Sequence, residues 1–222
     1  IVKKNAPQSL VVGGAVTTGG SYFMDAILEA GGGEYMDAIS FHPYDWAGGT
    51  YNLKWLEGNI QTVNDLFIKY TGEKKPIIID EMGMHTDGAL GGGATQTAKY
   101  AEDEQGASYM KIFGVVRSKN LGVDGMYYYD LVDDGMLSTT PEHNFGLVES
   151  NSDIPSMQYS AKPGFVQMTG LNKFMWDAEG VECVEKDGIW LCNFKKPNGE
   201  NIAIAWTEVG SECNVDLNLG DS

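Results

Sequence analysis

The stretch that most constrains this chain is Lys75-Pro76-Ile77-Ile78-Ile79-Asp80-Glu81-Met82-Gly83. Three consecutive isoleucines after a proline read as a short strand buried on both faces, the kind found in parallel sheets covered by helices. Parallel α/β folds such as the (β/α)8 barrel do their chemistry at the carboxyl ends of their strands. This strand delivers a carboxylate, Glu81, into a glycine-containing turn, so Glu81 is the catalytic candidate by position.

The neighbouring segments repeat the pattern. A first strand is expected at 10–16 and a helix at about 21–30, with Phe23, Ile27 and Leu28 as its apolar stripe and Gly31-Gly32-Gly33 as its stop. A second strand, 38–44, leads through an aromatic loop containing Trp46, Tyr51 and Trp55. The helix after it, from about 59 to 70, places Ile60, Val63, Leu66, Phe67 and Tyr70 on one face. The Glu81 strand is third, followed by a long loop with Gly91-Gly92-Gly93 and a helix from about 96 to 119. A fourth strand at 125–131, an acidic loop and a last helix at about 162–175 complete four βα units. Such a series predicts a parallel sheet with right-handed crossovers, either doubly wound or part of a barrel. From Glu179 onward, short alternating strands with hairpin turns at Asp187-Gly188 and Asn198-Gly199 predict a small antiparallel β appendage. The expected division is 1–175 for the α/β part and 176–222 for a β-sandwich-like appendage.

Composition narrows the ligand class. With 222 residues and 42% apolar content the chain can bury a substantial core. Its net charge of −16 argues against nucleic acid, because no basic stripe is present to neutralise phosphates. Neutral or weakly charged ligands fit that charge better. No apolar run approaches the roughly 18 residues that span a bilayer, so no membrane partner is expected. The start, Ile1-Val2-Lys3-Lys4-Asn5, is neither an initiator methionine nor a signal peptide, and the chain is expected to begin inside something larger. Gly91-Gly92-Gly93 lacks a following Gly-Lys-Ser/Thr, and no Gly-x-Gly-x-x-Gly follows the first strand, so a nucleotide is discounted and no cofactor is expected.

Read together, the four strand ends resemble the second half of a clan A glycoside hydrolase barrel, of the retaining xylosidase-like or endoglucanase-like kind. That family's seventh strand ends in a nucleophilic Glu within an apolar-apolar-apolar-Thr/Asp-Glu-x-Gly pattern, which Ile78-Ile79-Asp80-Glu81-Met82-Gly83 matches. Ser40-Phe41-His42-Pro43-Tyr44 is similar to the His-x-Tyr segment that closes its sixth strand, and 125–131 resembles its eighth. Asn144-Phe145-Gly146-Leu147-Val148, followed by Ala161-Lys162-Pro163, is like its path into the last helix. The resemblance implies a (β/α)8 TIM barrel of which only strands five to eight are present, followed by the β appendage. It also implies a retaining glycosidase acting on β-linked polysaccharide or oligosaccharide, with Glu81 as nucleophile and His42 and Tyr44 contacting sugar hydroxyls or orienting Glu81. Secretion is expected, with the signal peptide outside this chain.

The residues support parts of that chemistry and leave one part open. Retaining glycosidases use two carboxyl groups about 5–5.5 Å apart, one attacking the anomeric carbon and one protonating the leaving oxygen. A hydroxyl such as that of Tyr44 would keep Glu81 ionised and aimed. Sugar rings stack on flat aromatic surfaces, and Trp46, Tyr51, Trp55 and Tyr127 to Tyr129 are available for it. The family's acid/base Glu, usually after Asn at the fourth strand, has no counterpart, since the chain contains no Asn-Glu dipeptide. The family's usual Trp near the eighth strand is also replaced, by Tyr127-Tyr128-Tyr129-Asp130. The chain alone is therefore expected not to hydrolyse glycosides. Its exposed sheet edges are expected to meet the missing N-terminal half of the barrel or a second copy.

Other readings stand beside these. The half barrel would also serve a non-catalytic carbohydrate-binding or assembly module. A metal-dependent α/β enzyme using His42, Asp80, Glu81 and His85 is a third option, although their spacing fits no recognised ligand pattern. Asp130, Asp133 and Asp134 read as substrate or Ca2+ ligands or as a solvated acidic loop, and His85 and His143 as solvated loop residues. Glu102, Asp103 and Glu104 suit the start of a helix. If Asp187-Gly188 is a two-residue hairpin loop, Cys183 faces Cys192 in a non-hydrogen-bonded pair that permits a disulfide, leaving Cys213 free.

Overall fold

The protein is described by a computed structural model that covers residues 1–17, 20–45, 51–86, 102–137, 140–150 and 159–208. After a short helix α1 (Val2–Asn5), the elements are β1 (Val12–Thr17), α2 (Ser21–Glu29), β2 (Ala38–His42), α3 (Leu53–Thr71), β3 (Ile77–Met82), α4 (Glu102–Ser118), β4 (Val123–Tyr128) and α5 (Pro163–Met175). The antiparallel strands β5 (Glu179–Lys186), β6 (Ile189–Lys195) and β7 (Asn201–Thr207) follow.

Local chemistry sets the helix ends. Helix α3 starts earlier than the expected residue 59, because the Asn52 side chain accepts the Trp55 amide at 2.9 Å and satisfies one of the free N–H groups of the first turn. It stops at Gly72, whose φ of 79° places it in the left-handed region that glycine adopts freely. Glu102, Asp103 and Glu104 occupy the first turn of α4, where negative charge opposes the helix dipole favourably. Pro163 opens α5, where its missing N–H costs nothing.

Strands β1 to β4 form a parallel sheet in the order β1-β2-β3-β4. A sheet that never reverses its order, joined by right-handed crossovers, carries all its crossover helices on one face. Consistently, α2 packs on α3, α3 on α4, and α4 on α5. A doubly wound sheet reverses at a switch point, and no such reversal occurs among these four strands. Among the described residues, β1 and β4 each leave one edge unpaired.

The helix-facing side is the core. Ile39, Ile77, Ile79 and Met82 are fully buried there against Leu56, Ile60, Phe67 and Ile112. The opposite side behaves differently from the expectation that the isoleucine strand is covered on both faces. Ile78 is half-buried and Asp80 exposed, because no second layer among the described residues covers that face. The amphipathic alternation of β3 in place is thus buried, half-buried, buried, exposed.

The three appended strands pair in the order β5-β6-β7. Asp187 and Gly188 form the two-residue loop with φ of 54° and 76°, the geometry that suits a tightly twisted hairpin, and Cys183 stands opposite Cys192. Those two cysteines form a disulfide, and Cys213 lies outside the described residues. The Asn198-Gly199 turn differs from the expected two-residue form. Pro197 sets the first corner, Gly199 donates to the Lys196 carbonyl at 2.9 Å with a φ of 91°, and the strands resume only at Asn201. This sheet lies on α4. Trp190, Cys192 and Phe194 join Ile112 and Val116 in one apolar core, with Phe194 stacked on Phe113 at 6.2 Å. No described helix is long and apolar enough to cross a membrane.

Candidate active site

Alternation along an extended strand sends every second residue to the same face. Ser40, His42 and, just beyond the strand end, Tyr44 therefore share one side of β2 and meet both Asp80 and Glu81 of the adjacent β3, whose two-residue alternation is broken by an irregularity between Ile79 and Met82. The Tyr44 hydroxyl donates to Glu81 Oε1 at 2.8 Å. Burial first, and the Glu81 carboxylate second, hold the Tyr44 phenol far above its usual ionisation range, so it remains a donor. On the other side of the pair, His42 Nε2 lies 2.9 Å from Asp80 Oδ1, and His42 Nδ1 stands 3.8 Å from Glu81 Oε2. The Ser40 hydroxyl donates to the same Asp80 oxygen. Ser40 is buried, whereas the Asp80 and Glu81 side chains are 40% and 41% exposed on the open face. Glu81 is reachable by a solute.

Phe145 forms the floor beside this group. It is fully buried and makes edge-on contacts with Tyr44 at 6.0 Å, His85 at 5.4 Å and Tyr129 at 5.4 Å. Gly83 closes the strand end with no room for a side chain, since a Cβ there would run into the Tyr129 carbonyl. The Tyr129–Asp130 peptide is cis.

A buried polar frame holds the loops after β3 and β4 together. The Gln105 amide of α4 reaches three carbonyls, of Met84, Phe145 and Gly146, at 3.0 to 3.1 Å. The Tyr128 hydroxyl donates to the Met84 and Phe145 carbonyls at 3.3 Å. Lys162, at the start of α5, pairs with Asp133 at 2.7 Å and donates to Thr86 Oγ1 at 3.3 Å, while the Gly146 amide donates to Asp133 at 2.8 Å. Lys162 and Asp133 are both buried, so their charges are compensated by each other and by hydrogen bonds.

The remaining sequence candidates separate into two groups. Tyr127 is 62% exposed on the open face and Tyr129 stands beside Phe145, its hydroxyl 3.4 Å from Asp134 Oδ2. Burial and the charges of Asp134 and Glu142 push the Tyr129 phenol up to about 12. Asp130 is half-buried, and its carboxyl is raised to about 6 by burial and by Asp134 and Asp133. Trp46 lies outside the described residues.

Other expectations are corrected. Tyr51 is buried, donates to the Pro43 carbonyl and packs edge-on against a half-buried Trp55, so both anchor the loop and offer no stacking face. Tyr128 is turned into the frame. His85 is buried against Phe145 instead of solvated, and His143 is half-buried and accepts the Leu137 amide. Asp133 belongs to the Lys162 pair instead of a solvated loop. Among the described residues no three His, Cys, Asp or Glu side chains are grouped to hold a metal ion. Ser40, Phe145 and Lys162 stood in segments that resemble the family without a role of their own, and Gln105 was not singled out by sequence. Only Ser40 carried a usable signal, its two-residue spacing from His42.

No protein-family model matches the chain, and no curated protein matches it in sequence. Solved structures do match it. A family 39 glycoside hydrolase from the gut symbiont Bacteroides cellulosilyticus WH2 superposes with a TM-score of 0.69 at 22% identity, over 94% of this chain and 42% of that one. A GH51 arabinofuranosidase from Xanthomonas axonopodis pv. citri gives a TM-score of 0.59 at 12% identity, over 91% of this chain and 44% of that one. The chain has the fold of a segment of these glycosidases. It spans less than half the length of either.

Proposed function

We propose that this chain supplies the nucleophile half of a retaining glycoside hydrolase acting on β-linked polysaccharide or oligosaccharide. The observation that carries the reading is Glu81 at the end of a parallel strand, held at one oxygen by Tyr44 and faced at the other by His42. A carboxylate held by a hydroxyl at one oxygen yet open to solvent on one side is suited to attack an anomeric carbon, and it needs a second carboxyl group to protonate the leaving oxygen. The acid/base residue is assigned to a segment outside this chain. His42 is read as orienting Glu81, Tyr127 and Tyr129 as the aromatic wall of the sugar site, and Asp130 as a polar contact at its edge.

The same reading accounts for the open face and the flanks. Helices on one side only, two unpaired edges, and exposed apolar residues such as Tyr22 beside β1 and Trp176 beyond α5 suit a sheet that is half of a closed (β/α)8 barrel. The partner is the other half of the barrel or a second copy. The Cys183–Cys192 disulfide supports an oxidising, exported setting.

The test is turnover of aryl β-glycosides by this chain and by a polypeptide that joins it to an upstream half barrel bearing an acid/base Glu. The chain alone is expected to be inactive, the joined protein active, and Glu81→Gln in the joined protein to lose several orders of magnitude. Near-normal turnover of Glu81→Gln would return the chain to the non-catalytic, carbohydrate-binding reading.

A further inference from the structure

We propose that residues 213–219 add to the free edge of β7 as a fourth strand of the appended sheet, antiparallel to β7, and fill the apolar groove between β7 and α5. The inference does not depend on the glycosidase reading, and its failure would leave the assignment of Glu81 as it stands.

The groove is where one layer of the fold stops short. On the α4-facing side of the sheet, Cys192 and Phe194 of β6 are fully buried, while Ile204 and Ile202, their partners on β7, are only half-buried. Beyond them lies a cavity of about 320 Å3, bounded by Met110 of α4, by Leu171 and Phe174 of α5, and by Ile202 and Ile204. One water takes up about 30 Å3 in the liquid, so this space is more than a packing defect. Gly170 faces it without a side chain, and a Cβ there would still meet nothing within 4 Å. Phe174 is 60% exposed at its rim.

The edge of β7 beside the groove is unpaired among the described residues. The Glu208 amide donates to the Gly188 carbonyl at 3.0 Å, and the ladder between β6 and β7 continues from there without a shift. Amides alternate in direction along a strand, so the even-numbered residues of β7 bond to β6, and the amides of Ala203 and Ala205 point to the free edge. An open edge with apolar surface beneath it is a template for another strand.

Residues 209–222 follow directly and lie outside the described residues. Their sequence identifies the occupant. Cys213-Asn214-Val215-Asp216-Leu217-Asn218-Leu219 alternates apolar and polar without exception, the pattern of a strand with one buried face. A four-residue connection, Glu208-Val209-Gly210-Ser211, sets Trp206 opposite Cys213, Ile204 opposite Val215 and Ile202 opposite Leu217. That register turns Cys213, Val215 and Leu217 toward the groove and leaves Asn214, Asp216 and Asn218 on the outer face with Ala205, Ala203 and Asn201. A slip of one residue would bury the polar set instead. A second copy is a poorer occupant, since each copy brings a net charge of −16.

Nuclear magnetic resonance of the unmodified chain tests this. Hydrogen exchange at the Ala203 and Ala205 amides should be slowed by roughly 100-fold or more relative to an open chain, whatever the protein concentration. Ile204 and Val215 form a non-hydrogen-bonded pair, whose α carbons stand about 4.5 Å apart, so their Hα protons should show a nuclear Overhauser effect. Fast exchange at Ala203 and Ala205 overturns the proposal, as does an Ile204 Hα contact across the free edge with any residue other than Val215. Protection that appears only as concentration rises assigns the edge to a second copy and overturns it as well.

Discussion

Tyr44 donates its hydroxyl to Glu81 Oε1 across two neighbouring parallel strands, at 2.8 Å. The bond is short-range in space and long-range in sequence, and it depends on β2 and β3 being adjacent and in register. A hydrogen bond to a charged group contributes roughly 1.5–3 kcal/mol, so Tyr44→Phe is expected to lower kcat of the joined protein by about 10- to 100-fold. Folding should survive, because Phe keeps the ring against Phe145. A direct check is alkaline titration by ultraviolet absorbance. The raised Tyr44 phenol should contribute no phenolate where ordinary tyrosines ionise, leaving wild type and Tyr44→Phe with equal absorbance there.

The Lys162–Asp133 pair should matter to folding far more than its surface counterparts. Removing one partner of a buried pair leaves an uncompensated charge, at a cost of about 3–5 kcal/mol, and Lys162→Met is expected to lose that much in urea unfolding. Lys162→Met with Asp133→Asn should recover part of it, since Asn still accepts the Gly146 amide and carries no charge. The penalty of Lys162→Met alone should shrink in acid, because burial already raises the Asp133 carboxyl and protonation removes the stranded charge. A Lys162→Met protein as stable as wild type would show that the frame does not tie the two loops.

Asp130 gives a prediction with a definite pH window. Its carboxyl is raised from 3.8 to about 6, so the folded state favours the protonated form and that contribution is lost as pH rises through about 6. Asp130→Asn should match wild type in stability below about pH 4 and exceed it above pH 6, by about 1 kcal/mol once solvent screening of a half-buried group is allowed for. A constant difference across that range would assign the shift to something other than Asp130.

What the sequence disclosed follows from which forces are local. The isoleucine run and the Asp187-Gly188 loop act through near neighbours, and the βα order, the hairpin register and the Cys183–Cys192 pairing were legible, whereas the Asn52 cap, equally local, was missed and the helix was expected to start at about 59. Glu81 was legible from its strand end, and His42 and Tyr44 from the resemblance of Ser40-Phe41-His42-Pro43-Tyr44 to a family motif. Gln105 and Lys162 were not, since each works through contacts tens of residues away that no spacing rule announces. Tyr51 and Trp55 misled for the same reason: an aromatic residue in a loop reads as a platform until its ring is seen packed inward. Trp46 lies outside the described residues.

The most direct measurement is covalent trapping. A joined protein incubated with a 2-deoxy-2-fluoro β-glycoside bearing a good leaving group should accumulate a glycosyl-enzyme, because fluorine slows both steps and the leaving group restores the first. Proteolysis and mass mapping should place one sugar on the peptide spanning Ile77 to Met82, at Glu81, with Glu81→Gln unlabelled. A label on another residue, or hydrolysis with inversion of the anomeric centre and no label at all, would contradict the account.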